Sequence, residues 1–445
     1  MLLYFKVRNY RSIVETAINL MQDEGGGLCD NDEKGVRLYS LEACNNLGEK
    51  VRTSPLMAIY GRNASGKSNI IMALCQLQRI VTSGKIEDLY EPNKIQLAAN
   101  QRTEFSIVYT CPQKEQRTDY WYTYTLEYNA KGIYKEALYS NKDIVFYIDN
   151  DSGEHNFSAI SNADYDADRI ERLRLTECTD EFHNQKAPVL SWLAKKYTNL
   201  SRDVIEAYSF FTAHLYTRSS QNVNVQNAFS TLLQTWPDEE EQSRVISEVS
   251  DYLSQLDTGI LGVETKTMEK VLEPDNELLS IASTFWSRSG GIHRRGNTMI
   301  KKIFYAKHND SDNQEVYFPF EEESDGTLRL FALLVLIHKT TKSESNVLVI
   351  DEMDSSLHPL ILRQLMNFFI KTHHNENRSQ IIFTAHDTEL LEGGLLMPGE
   401  VAVVEKSFQT GSRLRKLSNY DAVEPDMIRR EYLDGQYAGI PHAHI

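Results

Sequence analysis

The sequence predicts an α/β protein built on a doubly wound sheet that contains both parallel and antiparallel strands. An apolar strand at 56–60 leads into a glycine-rich loop and a helix, and a second apolar strand at 347–350 ends in two carboxylates. Short apolar runs that end in such turns are typical of buried parallel strands. Apolar and aromatic residues alternate with polar ones at 104–110, 120–128 and 144–148, which predicts antiparallel strands.

The glycine-rich loop fits the pattern G-x-x-x-x-G-K-[S/T] of a P-loop. Two glycines allow backbone N–H groups to turn toward the β- and γ-phosphates, and the following helix N-terminus favours negative charge. Lys67 would supply a cation and Ser68 a hydroxyl for Mg²⁺. The motif therefore predicts binding of a nucleotide's phosphates with Mg²⁺, against the alternative of a coincidental glycine-rich turn. Its residues are Gly61, Arg62, Asn63, Ala64, Ser65, Gly66, Lys67 and Ser68.

The second apolar strand carries Asp351 and Glu352 at its end, where a parallel sheet binds its ligands. We expect Asp351 to hold Mg²⁺ through water. Glu352 would orient or deprotonate the water that attacks the γ-phosphate. The alternative is a surface pair that caps the next helix.

Several further motifs occur in a fixed order around this strand. They are Ser324, Gly326 and Thr327 ahead of an apolar run, Asp354 and Ser355 after the carboxylates, and His386 at the end of Ile381-Ile382-Phe383-Thr384-Ala385. In this order they resemble the signature motif, Walker B, D-loop and switch histidine of ABC-type ATPases, particularly the RecF, SMC and OLD-like branch. The segment at 5–12 also resembles the opening strand and turn of that branch.

The resemblance implies an ABC-type head that forms a homodimer, or a higher homo-oligomer, with ATP held between two chains. Ser324 and Gly326 would face the γ-phosphate bound by the partner subunit, and His386 would donate to that phosphate. Asp354 and Ser355 would lie at the dimer seam, with Arg11 and Asn69 among the ATP-binding residues. Taken alone, His386 is also consistent with a structural hydrogen-bonding role, and Asp354 or Ser355 with a helix N-cap.

The spelling Ser-x-Gly-Thr and the closing segment at 430–441 are similar to the abortive-infection ATP-binding proteins of the AbiL type, near the Septu PtuA-like proteins. OLD nucleases add a Toprim domain, but only about sixty residues follow His386 here, and we expect closing strands and a helix in them. The resemblance therefore implies a regulatory ATPase for a separately encoded nuclease or toxin in antiphage defence. Two alternatives are a RecF-like DNA repair ATPase and a nucleotide-gated scaffold with little turnover.

A chain of 445 residues is longer than one core usually organises. We expect an N-terminal ATPase lobe at 1–160, a mainly helical insertion at 161–300 and a C-terminal ATPase lobe at 301–445. Either Gln96 or Gln101 could serve as the Q-loop residue that senses Mg²⁺. No heptad pattern persists, so a long coiled coil is not expected.

The net charge of −16 restricts any nucleic-acid contact to a local patch. One candidate patch is consistent with binding a nucleic-acid backbone, with docking an acidic partner and with a solvated face. It consists of Arg288, Arg294, Arg295, Lys301 and Lys302. The longest apolar run, at 330–337, is too short to span a bilayer, so we expect a cytoplasmic protein without a membrane contact.

Overall fold

The structure is a computed structural model. It describes residues 1–22, 39–44, 50–86, 88–94, 101–111, 120–162, 164–256, 259–271, 290–295, 298–372, 377–407, 409–420 and 423–437. Among these residues, no helix combines the length and the hydropathy that crossing a bilayer requires.

The structure contains both strands and helices, and long runs of strands are separated by single helices or groups of helices. The strands are β1 (Leu2–Tyr10), β2 (Ile13–Asn19), β3 (Met21–Gln22), β4 (Tyr39–Cys44), β5 (Lys50–Thr53), β6 (Leu56–Tyr60), β7 (Thr103–Cys111), β8 (Tyr120–Tyr128), β9 (Ile133–Ser140), β10 (Asp143–Asp149), β11 (Glu154–Asn156), β12 (Leu215–Arg218), β13 (Gly262–Val271), β14 (Gly290–Arg295), β15 (Thr298–Asn309), β16 (Glu315–Pro319), β17 (Val347–Ile350), β18 (Gln380–Thr384), β19 (Val401–Ser407) and β20 (Gly411–Lys416). The helices are α1 (Lys67–Ser83), α2 (Ala167–Glu177), α3 (Val189–Lys196), α4 (Arg202–Ser209), α5 (Val225–Thr235), α6 (Glu239–Gln255), α7 (Asp325–Lys342), α8 (Pro359–Thr372) and α9 (Ile428–Leu433).

The largest sheet has thirteen strands in the order β11-β10-β9-β8-β7-β1-β2-β20-β19-β6-β18-β17-β12. Its centre is parallel: β6 pairs with β18 on one side and with β19 on the other, and β18 also pairs with β17. Every residue of β6, β17 and β18 is buried, because helices of an α/β fold cover both faces of a parallel sheet. The predicted mixed α/β sheet is confirmed.

The antiparallel part of this sheet contains the alternating segments. The segments predicted at 104–110, 120–128 and 144–148 form β7, β8 and β10, and β9 lies between the last two. Burial alternates along β7, and Tyr122 and Tyr124 of β8 are fully buried. These tyrosines therefore belong to the core.

The chain divides into two compact units whose segments interleave along the sequence. Unit 1 contains Met1–Thr217, Ser343–Met353 and His373–Ile445, and unit 2 contains Arg218–Lys342 and Asp354–Thr372. This division differs from the three consecutive lobes expected at 1–160, 161–300 and 301–445. Helices α2 to α4 belong to unit 1 because Ile170, Leu190 and Val204 pack in the same buried cluster as the side chains of β1 and β7.

Unit 2 contains a second sheet as well as helices α5 to α8. In this sheet β15 pairs antiparallel with β13, β14 and β16. Phe229 of α5 stacks on Phe304 of β15 at 3.8 Å, and Phe331 of α7 packs beside them. The segment expected to be mainly helical therefore holds strands after residue 261, because residues 302, 304 and 306 alternate toward the helices with the period of a strand.

Candidate nucleotide-binding site

Three parallel strands of unit 1 end at one edge of the central sheet. Thr384 of β18 is paired with Ile59 of β6, and Phe383 is paired with Ile350 of β17. The P-loop after β6, Asp351 after β17 and Ala385 after β18 therefore emerge side by side. One strand, β18, separates β6 from β17. Because neighbouring strands lie about 4.8 Å apart, Asp351 lies about two strand spacings from the P-loop.

The P-loop requires its two glycines. Gly61 has a φ of 146° and Gly66 a φ of 103°, both in the region that side chains rarely adopt. Neighbouring atoms also leave no room for a side chain at either position. A Cβ at Gly61 would lie 2.8 Å from the carbonyl oxygen of Val404, and one at Gly66 would lie 2.2 Å from Oγ of Ser412.

Lys67 folds back over the loop that precedes it. Its side chain is buried, and its ammonium donates to the carbonyl oxygens of Gly61 at 2.7 Å and Arg62 at 3.3 Å. Residues 62–64 are exposed. Gly66 is the N-cap residue of α1 and provides no side-chain cap. The loop therefore places a cation and uncapped helix N–H groups together, which suits a phosphate group.

One hydroxyl contacts both residues that follow β17, the first through its carboxylate and the second through its backbone. Thr384 Oγ1 donates to Asp351 Oδ1 at 2.6 Å and accepts the backbone N–H of Glu352 at 2.7 Å. Thr384 is fully buried, and the N–H of Met353 donates to its carbonyl oxygen at 3.0 Å. Glu352 has a φ of 52°, so the chain turns sharply where the second carboxylate begins. Sequence reasoning included Thr384 in a strand motif but did not identify this role.

His386 lies at the same edge. The N–H of Ala385 donates to the carbonyl oxygen of Ile59 at 3.1 Å, which ties this turn to the strand that leads into the P-loop. The His386 side chain is exposed. The structure therefore brings His386 to the edge that carries the loop and the two carboxylates, and its contact with a γ-phosphate stays a prediction.

The predicted signature and D-loop lie together in unit 2. Ser324 caps α7, because its Oγ accepts the N–H of Thr327 at 3.2 Å and lies 2.9 Å from Thr327 Oγ1. A Cβ at Gly326 would lie 2.9 Å from the carbonyl oxygen of Ser356, so the signature packs against the D-loop turn. Asp354 opens this turn by accepting the N–H of Leu357 through its carbonyl oxygen. Ser355 is half-buried in the same turn.

A family model described as "AAA domain, putative AbiEii toxin, Type IV TA system" matches residues 56–392. The chain belongs to this family. It is an AAA-type P-loop protein, and the matched span contains the P-loop, both carboxylates and His386. Among curated proteins, no sequence matches the chain.

Solved structures similar to this AAA-type protein include heads of SMC proteins. The Smc head bound to the C-terminal winged-helix domain of ScpA is 13% identical, with a TM-score of 0.41, and the alignment covers 93% of this chain and 96% of that chain. The SMC head domain from Thermotoga maritima is 13% identical, with a TM-score of 0.40 and coverage of 93% and 98%. The Smc head with an extended coiled coil, bound to the C-terminal domain of ScpA derived from Pyrococcus furiosus, is 12% identical, with a TM-score of 0.40 and coverage of 94% and 97%.

Two residues predicted to bind ATP have partners within the AAA-type protein itself. Asn69 donates from Nδ2 to Ser12 Oγ at 2.7 Å. The guanidinium of Arg11 forms an ion pair with Glu91. In these positions both side chains support protein structure. Their contact with ATP stays a prediction.

The Q-loop question stays open for this AAA-type protein. Gln96 lies outside the described residues. Gln101 lines a cavity of about 300 Å³ together with Asn9, Asn93 and Arg102, and its carbonyl oxygen accepts from the Tyr90 hydroxyl. The assignment of either Gln96 or Gln101 as the Q-loop residue therefore stays a prediction.

The predicted basic patch needs a correction at Lys302. Its side chain is 7% exposed, and its ammonium donates to Gln242 and lies 3.5 Å from a carboxylate oxygen of Glu239. Strand alternation directs this side chain toward α6, so Lys302 is an internal ion-pair partner and is not available to an external phosphate. Arg288 and the side chains of Arg294, Arg295 and Lys301 lie outside the described residues.

Proposed function

We propose that this AAA-type protein binds ATP with Mg²⁺ at the edge of its central sheet and hydrolyses it as a dimer. The observation that carries this proposal is the Thr384 hydroxyl, which joins Asp351 to the backbone of Glu352 at the edge that also carries the P-loop. This hydroxyl fixes the Asp351 carboxylate and the backbone of Glu352 before a ligand arrives. Such preorganisation is what phosphoryl transfer demands of a protein.

The binding step would use groups that already face one another. The Lys67 ammonium would exchange the carbonyl oxygens of Gly61 and Arg62 for phosphate oxygens, while the N–H groups at the start of α1 donate to the same phosphates. Ser68 and Asp351 offer a hydroxyl and a carboxylate, the hard oxygen ligands that suit Mg²⁺. When bound, the ion would neutralise negative charge on the β- and γ-phosphates.

In the hydrolysis step Glu352 would accept a proton from the attacking water. Its backbone is held by Thr384, so its carboxylate leaves the sheet edge from a fixed point. His386 would donate to the γ-phosphate from the neighbouring strand end. The signature residues Ser324, Gly326 and Thr327 would donate to the γ-phosphate bound by a second copy of the chain, which makes ATP part of the dimer contact.

We further propose that the ATPase controls a separately encoded effector, a nuclease or a toxin, in antiphage defence in the cytoplasm. The resemblance of the motifs to abortive-infection ATP-binding proteins supports this role. The family description also refers to a toxin of a type IV toxin–antitoxin system. ATP-dependent dimerisation would then be the signal that the effector receives.

The hydrolysis proposal is tested by Glu352→Gln. Removing a general base lowers rates by about 100- to 10,000-fold, so we expect kcat to fall within that range while the Kd for ATP changes by less than about twofold. ATP should also shift the variant to a dimer in analytical ultracentrifugation. Glu405→Gln is the matched control, because Glu405 is a half-buried acid on β19 that accepts from the hydroxyl of Tyr420 and pairs with Arg415.

Wild-type kcat retained in Glu352→Gln would rule out the assigned base. Dimers that form with ATP while the wild type shows no turnover would instead support the nucleotide-gated scaffold. The effector is tested by affinity purification of tagged Glu352→Gln from the native host in ATP, with copurifying chains identified by mass. Recovery of homo-oligomers alone, with hydrolysis raised by duplex DNA, would replace the defence role with a repair role.

A further inference from the structure

The P-loop rests on two serines that lie outside the span matched by the family model. Ser12 lies before residue 56 and Ser412 lies after residue 392. Ser412 belongs to β20, and its backbone N–H donates to the carbonyl oxygen of Ser12 at 2.8 Å. Two distant segments of unit 1 thus meet directly behind the loop.

Their hydroxyls form a relay that ends on the P-loop backbone. Ser412 Oγ donates to the carbonyl oxygen of Ser65 at 2.6 Å, and Ser12 Oγ lies 2.8 Å from Ser412 Oγ. Asn69 Nδ2 donates to Ser12 Oγ at 2.7 Å. Because the single Ser412 proton is directed to Ser65, Ser12 donates to Ser412 and accepts from Asn69. Every hydrogen bond in the relay therefore has one direction.

This relay fixes one peptide plane of the loop. In a trans peptide the C=O and the following N–H point in opposite directions, and the described residues contain no cis peptide. When Ser412 holds the carbonyl of Ser65, the N–H of Gly66 points away from Ser412. That is the side on which the loop, with its uncapped α1, can receive a phosphate.

The hydrogen bond from the Ser412 hydroxyl to the Ser65 carbonyl oxygen is buried and closely surrounded by other atoms. Ser412 is 0% exposed, and a Cβ at Gly66 would lie 2.2 Å from Ser412 Oγ and 2.8 Å from Ser12 Oγ. Removing the Ser412 hydroxyl would leave the carbonyl of Ser65 without this buried donor. The Ser65–Gly66 peptide would then be free to rotate, because Gly66 tolerates many backbone conformations.

We propose that Ser412, held by Ser12 and Asn69, is a positioning residue that sets the Gly66 N–H for binding of the nucleotide's β-phosphate. This inference rests on the proposed use of the loop for nucleotide phosphates. It does not depend on hydrolysis, on the dimer or on an effector. It assigns to the C-terminal hairpin β19–β20 a role in nucleotide affinity.

The test is the Kd for Mg²⁺–ADP, measured by isothermal titration calorimetry with the full chain. ADP is the probe because it carries the β-phosphate without the γ-phosphate. Ser412→Ala should raise the Kd about tenfold, since one well-placed hydrogen bond is worth about this factor. Ser12→Ala, one link further away, should raise it by about threefold. The double variant should resemble Ser412→Ala, because both changes break one relay.

Ser379→Ala is the matched control, since Ser379 is equally buried in unit 1 and donates to the carbonyl oxygens of Ser343 and Asn377. It should lower the thermal midpoint as much as Ser412→Ala does and leave the Kd unchanged. If Ser412→Ala does not fold, Ser12→Ala decides the question. Serine variants that bind ADP as tightly as the wild type overturn this inference alone, whereas a wild type that does not bind ADP overturns the proposed function as well.

Discussion

Two helices of unit 1 differ in what lies at their N-termini. At the start of α3, the N–H groups of Val189 and Leu190 donate to the carboxylate of Glu136 at 2.7 and 2.9 Å. At the start of α1, Gly66 supplies no side-chain cap. The same feature, a helix N-terminus, thus contacts a carboxyl group of the protein in one place and has no side-chain cap in the other.

Burial explains the difference between the two sites. Glu136 is 0% exposed and also accepts from the Tyr124 hydroxyl and the Gln185 amide, so its four contacts are all donors. Burial raises the pKa of Glu136 to about 7, against the opposing effect of the Leu190 and Val189 N–H groups. The comparison teaches that a buried carboxyl group of the protein itself occupies the start of α3, whereas the start of α1 has a lysine and an exposed loop.

A third helix, α7 in unit 2, has an N-terminus that is intermediate between those of α3 and α1. Its N-terminus is capped by the neutral Ser324 hydroxyl. Such a cap satisfies one N–H group without charge, so a phosphate can still be attracted by the remaining groups. This is the arrangement that the proposed contact with a second subunit requires.

The largest expected effect comes from Lys67→Ala. This substitution removes the ammonium group and keeps the N–H groups at the start of α1. We expect the Kd for ATP to rise about 100-fold, since a charge-assisted contact is worth about 3 kcal/mol. Calorimetric titration with ATP measures this change. The control is Lys406→Ala, because the Lys406 ammonium also donates to a P-loop carbonyl, that of Ala64 at 3.3 Å, but from an exposed position. Equal losses in both variants would show that lysine contacts to the loop backbone, and not the phosphate contact, set affinity.

Glu136→Gln tests the N-terminus of α3, which the Glu136 side chain occupies. One amide NH₂ would face two donors, so we expect the free energy of unfolding at pH 5 to fall by about 2 kcal/mol, with the Kd for ATP unchanged. Between the ordinary pKa of 4.5 and about 7 the folded wild type binds more protons than the unfolded chain. Wild-type stability therefore declines across this range relative to the variant, and the gap should narrow toward pH 7.

Urea unfolding at pH 5, 6 and 7 measures that gap. Glu104→Gln is the control, because Glu104 pairs with Arg8 at the surface and its loss should cost less than about 1 kcal/mol. A gap that widens as the pH rises would mean that Glu136 is charged in the folded protein throughout this range.

The smallest expected effect on stability is that of Ser324→Ala. Loss of the cap should lower the free energy of unfolding by about 1 kcal/mol. If α7 also meets the phosphate of a second subunit, hydrolysis should fall further than stability explains, while the Kd for ATP is retained. Ser201→Ala removes the corresponding cap of α4, where Ser201 accepts the N–H of Val204, and should lower stability without this loss of hydrolysis. Equal hydrolysis in the two variants would contradict the signature role.

Sequence reasoning predicted the parts of the site that depend on neighbouring residues. Gly61 and Gly66 were expected to let backbone N–H groups turn toward the phosphates, and the structure gives both a positive φ, which favours glycine. The apolar run before Asp351 was expected to be a buried parallel strand, and β17 is one. Spacing and apolar character are local properties, so such features can be read directly from the sequence.

Contacts between distant segments could not be predicted in this way. The Ser412–Ser65 bond joins residues 347 positions apart, and the Ser12–Ser412 contact spans 400 positions. Serine in a strand or turn carries no signal of its partner, because its hydroxyl can donate to many groups. Lys302 was wrongly placed in an exposed patch for the same reason, since its partner Glu239 lies on α6 and is distant in sequence.

By itself, the sequence determined the P-loop, the acidic strand end and the mixed α/β sheet, because glycine geometry and hydrophobic periodicity act within a few residues. Only the tertiary structure decided the interleaving of the two units and the orientation of Asp351 and Glu352 by Thr384. It also decided the support of Gly66 by the N-terminal turn and the C-terminal hairpin. These features depend on which strands become neighbours in the sheet, and that outcome is set by the burial of the whole core.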